Sequence, residues 1–157
     1  MVEQKMGIFK KLNLKDQEEI LVLQAPASFE PELEALENVA IKRDAAEIEH
    51  FDFCLVFAAK QAEVDAFASV IAQKARGDAV VWFAYPKGSS KKYKCDFNRD
   101  RGWDELGRLG FEPVRQVSID EDWSALRFRR VEYIKTMTRH ADGALTEQGK
   151  RRTGKNQ

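Results

Sequence analysis

Phe51-Asp-Phe-Cys-Leu-Val-Phe57 and Ala79-Val-Val-Trp-Phe-Ala-Tyr85 bracket a helical pattern over residues 62–76. Both runs carry the aromatic and β-branched residues that suit a pleated, half-buried surface. The second is apolar at every position, as expected of a strand covered on both sheet faces. Between them Val64, Phe67, Ala68 and Ile71 recur at i, i+3, i+4 and i+7, which gives the helix one apolar face. Gly77 stands where a C-terminal stop belongs. Strand, amphipathic helix and strand make a parallel βαβ unit with a right-handed crossover.

The same alternation extends both ways. Upstream, Ile20-Leu-Val-Leu23 reads as a buried strand ending at Ala25-Pro26. Ser28 is placed to cap a helix with Pro31 and acidic residues in its first turns and Leu33 and Leu36 facing inward. Val39–Ile41 is a weaker strand. Downstream, the polar loop Pro86-Lys-Gly-Ser-Ser-Lys-Lys-Tyr-Lys-Cys-Asp-Phe97 leads to a short helix over Arg101–Leu109, stopped by Gly110. Val114–Ile119 and Ser124–Val131 form a hairpin around the turn Asp120-Glu-Asp122. A terminal helix is expected over 132–139. The fold class is therefore α/β: a three-layer Rossmann-like sandwich around a six-stranded, mostly parallel sheet with an antiparallel strand from the C-terminal hairpin. Residues 1–139 read as one domain, and 140–157 as a disordered basic tail.

At 157 residues the chain is long enough for a core that needs no disulfide or structural metal. Lys+Arg and Asp+Glu are both 26, so a uniformly basic nucleic-acid protein is excluded. The balance is uneven, with nine basic and fifteen acidic residues in 1–86 and seventeen and eleven in 87–157. No apolar run reaches the roughly 18 residues of a membrane span. The first residues, MVEQKMGIFKKLNLK, lack the apolar stretch of a signal peptide. With only two cysteines, the expectation is a cytoplasmic protein.

The usual chemical motifs are missing. A nucleotide-binding α/β domain places glycines after its first strand so that backbone N–H groups can approach phosphate or ribose. Here that turn is Gln24-Ala-Pro-Ala-Ser-Phe29, and Pro26 removes a further donor. No cofactor is expected. His50 and His140 lie far apart and neither sits near a cysteine at ligand spacing, so no metal site is expected, and the acidic turn at 120–122 is more simply a solvated hairpin. Without a G-x-S-x-G elbow no catalytic set can be assigned. Cys54 falls in a core strand. Cys95 lies among lysines of the kind that lower a thiol pKa, although no partner base is evident.

The loop after Tyr85 is the best candidate site. In open α/β sheets, ligands bind beyond the carboxyl ends of the strands. Pro86, Lys87, Gly88, Lys91, Lys92 and Tyr93 occupy such an end, and their ammonium groups and close-approach glycine suit an anion. Arg127 is a candidate supporting residue, with a structural hydrogen bond or salt bridge as the simpler role for the arginines of its strand.

Trp82-Phe-Ala-Tyr-Pro-Lys87, Gly102-Trp103, Gly110-Phe111 and Asp120-Glu-Asp-Trp-Ser-Ala-Leu-Arg127 are similar to segments of a family of small bacterial proteins. That family, a domain of unknown function, carries a W-x-x-x-P-K segment and a W-S-x-x-R segment. The order of elements from Ala79 to Val131 resembles the second half of the class I methyltransferase fold. This resemblance implies the spatial strand order second, first, third, fourth, sixth, fifth, with only the sixth antiparallel. Three functions follow as expectations. The first is a non-catalytic module binding a small anionic ligand or a protein partner on a methyltransferase-like shell. The second is a phosphate or nucleic-acid binder using loop 87–94 and the basic tail. The third is a divergent S-adenosylmethionine-dependent methyltransferase.

Overall fold

A computed structural model describes residues 7–97 and 101–134. Six strands form one sheet: β1 (Glu19–Leu23), β2 (Ala40–Lys42), β3 (Phe51–Phe57), β4 (Ala75–Pro86), β5 (Phe111–Ser118) and β6 (Trp123–Arg130). Their order is β2-β1-β3-β4-β6-β5, and β6 runs antiparallel to both neighbours. This is the expected order. The remaining elements are α1 (Ile8–Lys11), α2 (Glu30–Glu34), α3 (Gln61–Lys74), α4 (Asp104–Arg108) and three short 3-10 turns.

Strand alternation divides the core into two layers. On one face Ile20, Val22, Phe53, Leu55, Trp82 and Ala125 meet Phe9, Leu12, Phe29 and Leu33 from the α1 and α2 side. On the other, Leu21, Cys54, Val56, Val81, Phe83 and Phe128 meet Val64, Ala68 and Ile71 of α3 with Trp103 and Leu106. Trp82 is fully buried at the centre, and its indole Nε1 donates to the Leu12 carbonyl at 2.7 Å. The buried ring is thereby freed of an unmet donor. That bond anchors α1, whose single turn is too short for apolar periodicity to reveal.

Several boundaries differ from the sequence reading. Gly77 does not stop α3, which ends at Lys74 and passes directly into extended Ala75. Instead Gly77, at φ +56°, lies in an excursion of β4, where Ala75 to Val80 pairs opposite Phe51 to Phe53. Five steps along one strand against two along the other require a local turn, and glycine takes the left-handed conformation without strain. Ser28 lies inside the 3-10 turn Ala27–Phe29 and caps nothing, because Pro26 already supplies the carbonyl that accepts from Phe29 N. Pro31 and the acidic residues do sit in the first turn of α2. β5 begins at Phe111 and includes Pro113, which an edge strand with a bulge can accommodate. Val131–Tyr133 is a 3-10 turn and Ile134 is extended, so the expected 132–139 helix does not begin there; residues 135–139 and the 140–157 tail lie outside the described residues.

Candidate functional site

The loop after β4 is pinned at both ends. Lys87 N donates to the Asp122 carbonyl at 2.7 Å, and Lys87 Nζ donates to Ser118 Oγ at 2.7 Å. Ser90 organises the middle: its hydroxyl donates to Asp122 Oδ1 at 2.8 Å and accepts from the N–H groups of Lys92 and Tyr93. Tyr93 packs on Trp123 in a tilted contact with ring centroids 4.9 Å apart, and Lys92 Nζ lies 5.5 Å from the centroid of the tyrosine ring. At the far end Phe97 packs on Trp103 (5.0 Å) and Tyr85 (6.0 Å). Asp96 reaches the start of α3, where Oδ1 accepts from Gln61 N at 2.6 Å.

These contacts leave a cleft of about 500 Å³ between the loop and the end of β4. Pro86, Lys87, Gly88 and Tyr93 line it, together with Ser90, Lys94, Cys95, Phe97 and Tyr85. Four of the sequence candidates are thus brought together. Lys91 and Lys92 do not line the cleft, and Arg127 lies elsewhere: it pairs with Trp82 in mid-sheet, four residues along β6 from Trp123. At strand spacing that is roughly 13 Å from the loop end. Nothing in the local pattern of this irregular loop distinguishes Lys94 from Lys91 or places Phe97 and Tyr85 beside it.

Cys95 also departs from expectation. Burial pushes its thiol up, Asp96 and Glu63 add to the rise, and the Phe97 N–H only partly offsets it. The neighbouring lysines do not activate this thiol. Cys54 is fully buried, and burial raises its thiol far above the ordinary range. In the acidic turn, Asp120 Oδ1 accepts from the N–H groups of Asp122 and Trp123 at 2.8 Å each, which is hairpin chemistry. Among the described residues no three His, Cys, Asp or Glu side chains are grouped to hold a metal, and no helix is long and apolar enough to cross a membrane.

The strand order reverses between β1 and β3, the position where such sheets usually bind ligands. Here the chain fills it with its own side chains. Gln24, at φ +59°, follows β1, and its Nε2 donates to the Phe57 carbonyl and to Glu63 Oε2, both at 2.9 Å. Glu63 Oε1 accepts from Ala59 N and Lys60 N at 3.0 Å. Burial raises the Glu63 carboxyl, but these N–H groups, the Gln24 amide and Lys60 outweigh it and hold the carboxyl below its ordinary value. Glu63 and Asp96 together supply the negative charge that the N-terminus of α3 favours.

No protein-family model and no curated protein matches the sequence. Solved structures resemble the fold. A SAM-dependent methyltransferase from Aquifex aeolicus superposes with TM-score 0.57 at 13% identity, over 81% of this chain and 89% of that one. The [4+2]-cyclase SpnF gives 0.53 at 9% identity, covering 82% and 80%. The N-methyltransferase NodS from Bradyrhizobium japonicum gives 0.50 at 12% identity, covering 82% and 95%. The chain has a class I methyltransferase-like α/β fold. At these identities the likeness is one of architecture.

Proposed function

We propose that the protein is a non-catalytic binding module built on a methyltransferase-like shell, with the cleft after β4 taking a small anionic ligand. The observation that carries this reading is the bridge from Gln24 to Phe57 and Glu63, which occupies the reversal point between β1 and β3. A ligand there would have to break the hydrogen bonds that Gln24 makes to the Phe57 carbonyl and to Glu63, each contributing about 0.5–1.5 kcal/mol net. The β4 cleft asks for no such displacement. It offers Lys87 and Lys94 for charge, Gly88 for close backbone approach, and the Tyr93 ring as one wall.

Calorimetry with S-adenosylmethionine tests the reading directly, and no isotherm in the micromolar range is expected. A micromolar isotherm would instead favour a divergent methyltransferase, the alternative that the resemblance to the Aquifex aeolicus enzyme supports. Fold alone does not choose between them, since a cyclase is built on the same architecture. Thermal melting with small phosphates and carboxylates should reveal the cleft's ligand class, because a saturating ligand stabilises the folded state in proportion to ln(1 + [L]/Kd).

A further inference from the structure

The β5–β6 ladder sets Arg115 directly opposite Arg127, with Trp82 of β4 on Arg127's other side. Arg129 stands two positions along the same face and is already held by Asp78 through two nitrogens, at 2.8 and 2.7 Å. Glu112, across from Arg129, is buried. Among the described residues neither Arg115 nor Arg127 has an ion-pair partner, and Arg127 Nε is buried with no hydrogen-bond acceptor. Like charges facing each other across an antiparallel ladder are destabilising, as is a buried charged donor left unmet. Burial holds the Arg127 guanidinium below its ordinary range, and Arg129 and Arg115 add to this against the pull of Asp78.

We infer that Arg115 and Arg127 form an anion site for a phosphate dianion, on the α1 face of the sheet and separate from the β4 cleft. Arginines at directly opposed ladder positions share one face of the sheet, so both guanidiniums can reach one tetrahedral oxyanion, whose two negative charges neutralise both. Arg127 Nε gains the acceptor it lacks. Trp82, fully buried beside it, provides an apolar flank on which such pairing is strengthened.

The test titrates inorganic phosphate into the isotope-labelled full chain at constant ionic strength and follows the arginine Nε–H signals by NMR. A saturable shift of the Arg127 signal is expected. Arg115→Gln changes an exposed edge residue and should weaken binding about tenfold while the fold stays intact. Arg127→Lys, which keeps the charge and removes Nε, should cost a similar factor. The proposal is overturned if the saturable shifts are confined to residues 87–97, if Arg115→Gln leaves affinity unchanged, or if succinate binds as tightly as phosphate. Tighter binding of a short single-stranded oligonucleotide through the same signals would replace the small dianion with a nucleic-acid backbone, and would likewise overturn it.

Discussion

Two regions at the carboxyl end of the same sheet solve one problem in opposite ways. Beyond β1 and β3, Gln24, Glu63 and Asp96 meet the exposed backbone groups of the strand ends and the α3 N-terminus, and the region is sealed by polar contacts. Beyond β4, the chain spends its polar contacts on the hairpin turn through Lys87, Ser90 and Asp122, and a cleft of about 500 Å³ remains. A shared fold therefore does not carry its open position with it. Which end stays open depends on where the side chains find partners.

Trp123 touches a residue of each region, its ring centroid lying 5.1 Å from Phe57 in an edge-to-face contact and 4.9 Å from Tyr93 in a tilted one. Trp123→Ala should have the largest effect, a loss of about 3–5 kcal/mol in urea denaturation. Amide exchange of residues 87–97 should quicken at the same time. Exchange that quickens equally around Gln24 would show that the two regions are one cooperative unit.

Glu63→Ala removes the acceptor for three donors and should cost about 1–2 kcal/mol at neutral pH. The pH dependence has a definite sign. Because the Glu63 carboxyl is held below its ordinary value in the fold, its contribution is complete above the usual carboxylate range and is lost as pH falls through the lowered value. The gap between parent and Glu63→Gln should therefore narrow in acid. A gap that stays constant with pH would mean that the seal does not depend on the carboxylate charge.

The smallest effect on stability is expected at the cleft. Lys87→Ala with Lys94→Ala should change unfolding free energy by only about 1 kcal/mol, since Lys94 is exposed and Lys87 loses one solvent-facing hydrogen bond to Ser118, while abolishing anion binding at the loop. Lys91→Ala with Lys92→Ala, whose side chains do not line the cleft, should leave that binding nearly unchanged. Equal losses in the two pairs would mean that general positive charge, and not the cleft, attracts the ligand.

Most of the architecture was legible because it is written in local periodicity. The apolar run at 51–57 is the strand β3, and the i, i+3, i+4 spacing from Val64 to Ile71 marks the buried face of α3. The strand order followed from the resemblance together with handedness rules, which leave few topologies open. The same sequence could place Pro86, Lys87, Gly88 and Tyr93 at a strand end, because position in a βαβ unit determines which loops lie there.

Only tertiary structure decided the rest. Gln24 meets Glu63 across 39 positions, Asp96 meets Gln61 across 35, and Lys87 meets Ser118 across 31. Arg127 faces Arg115 only because a bulge shifts the β5 register. Periodicity describes which way a side chain points from its own element, and so the core could be read from it. Whether a polar side chain is left free for a ligand or spent on a distant backbone group depends on which elements pack together, and no local pattern contains that distance.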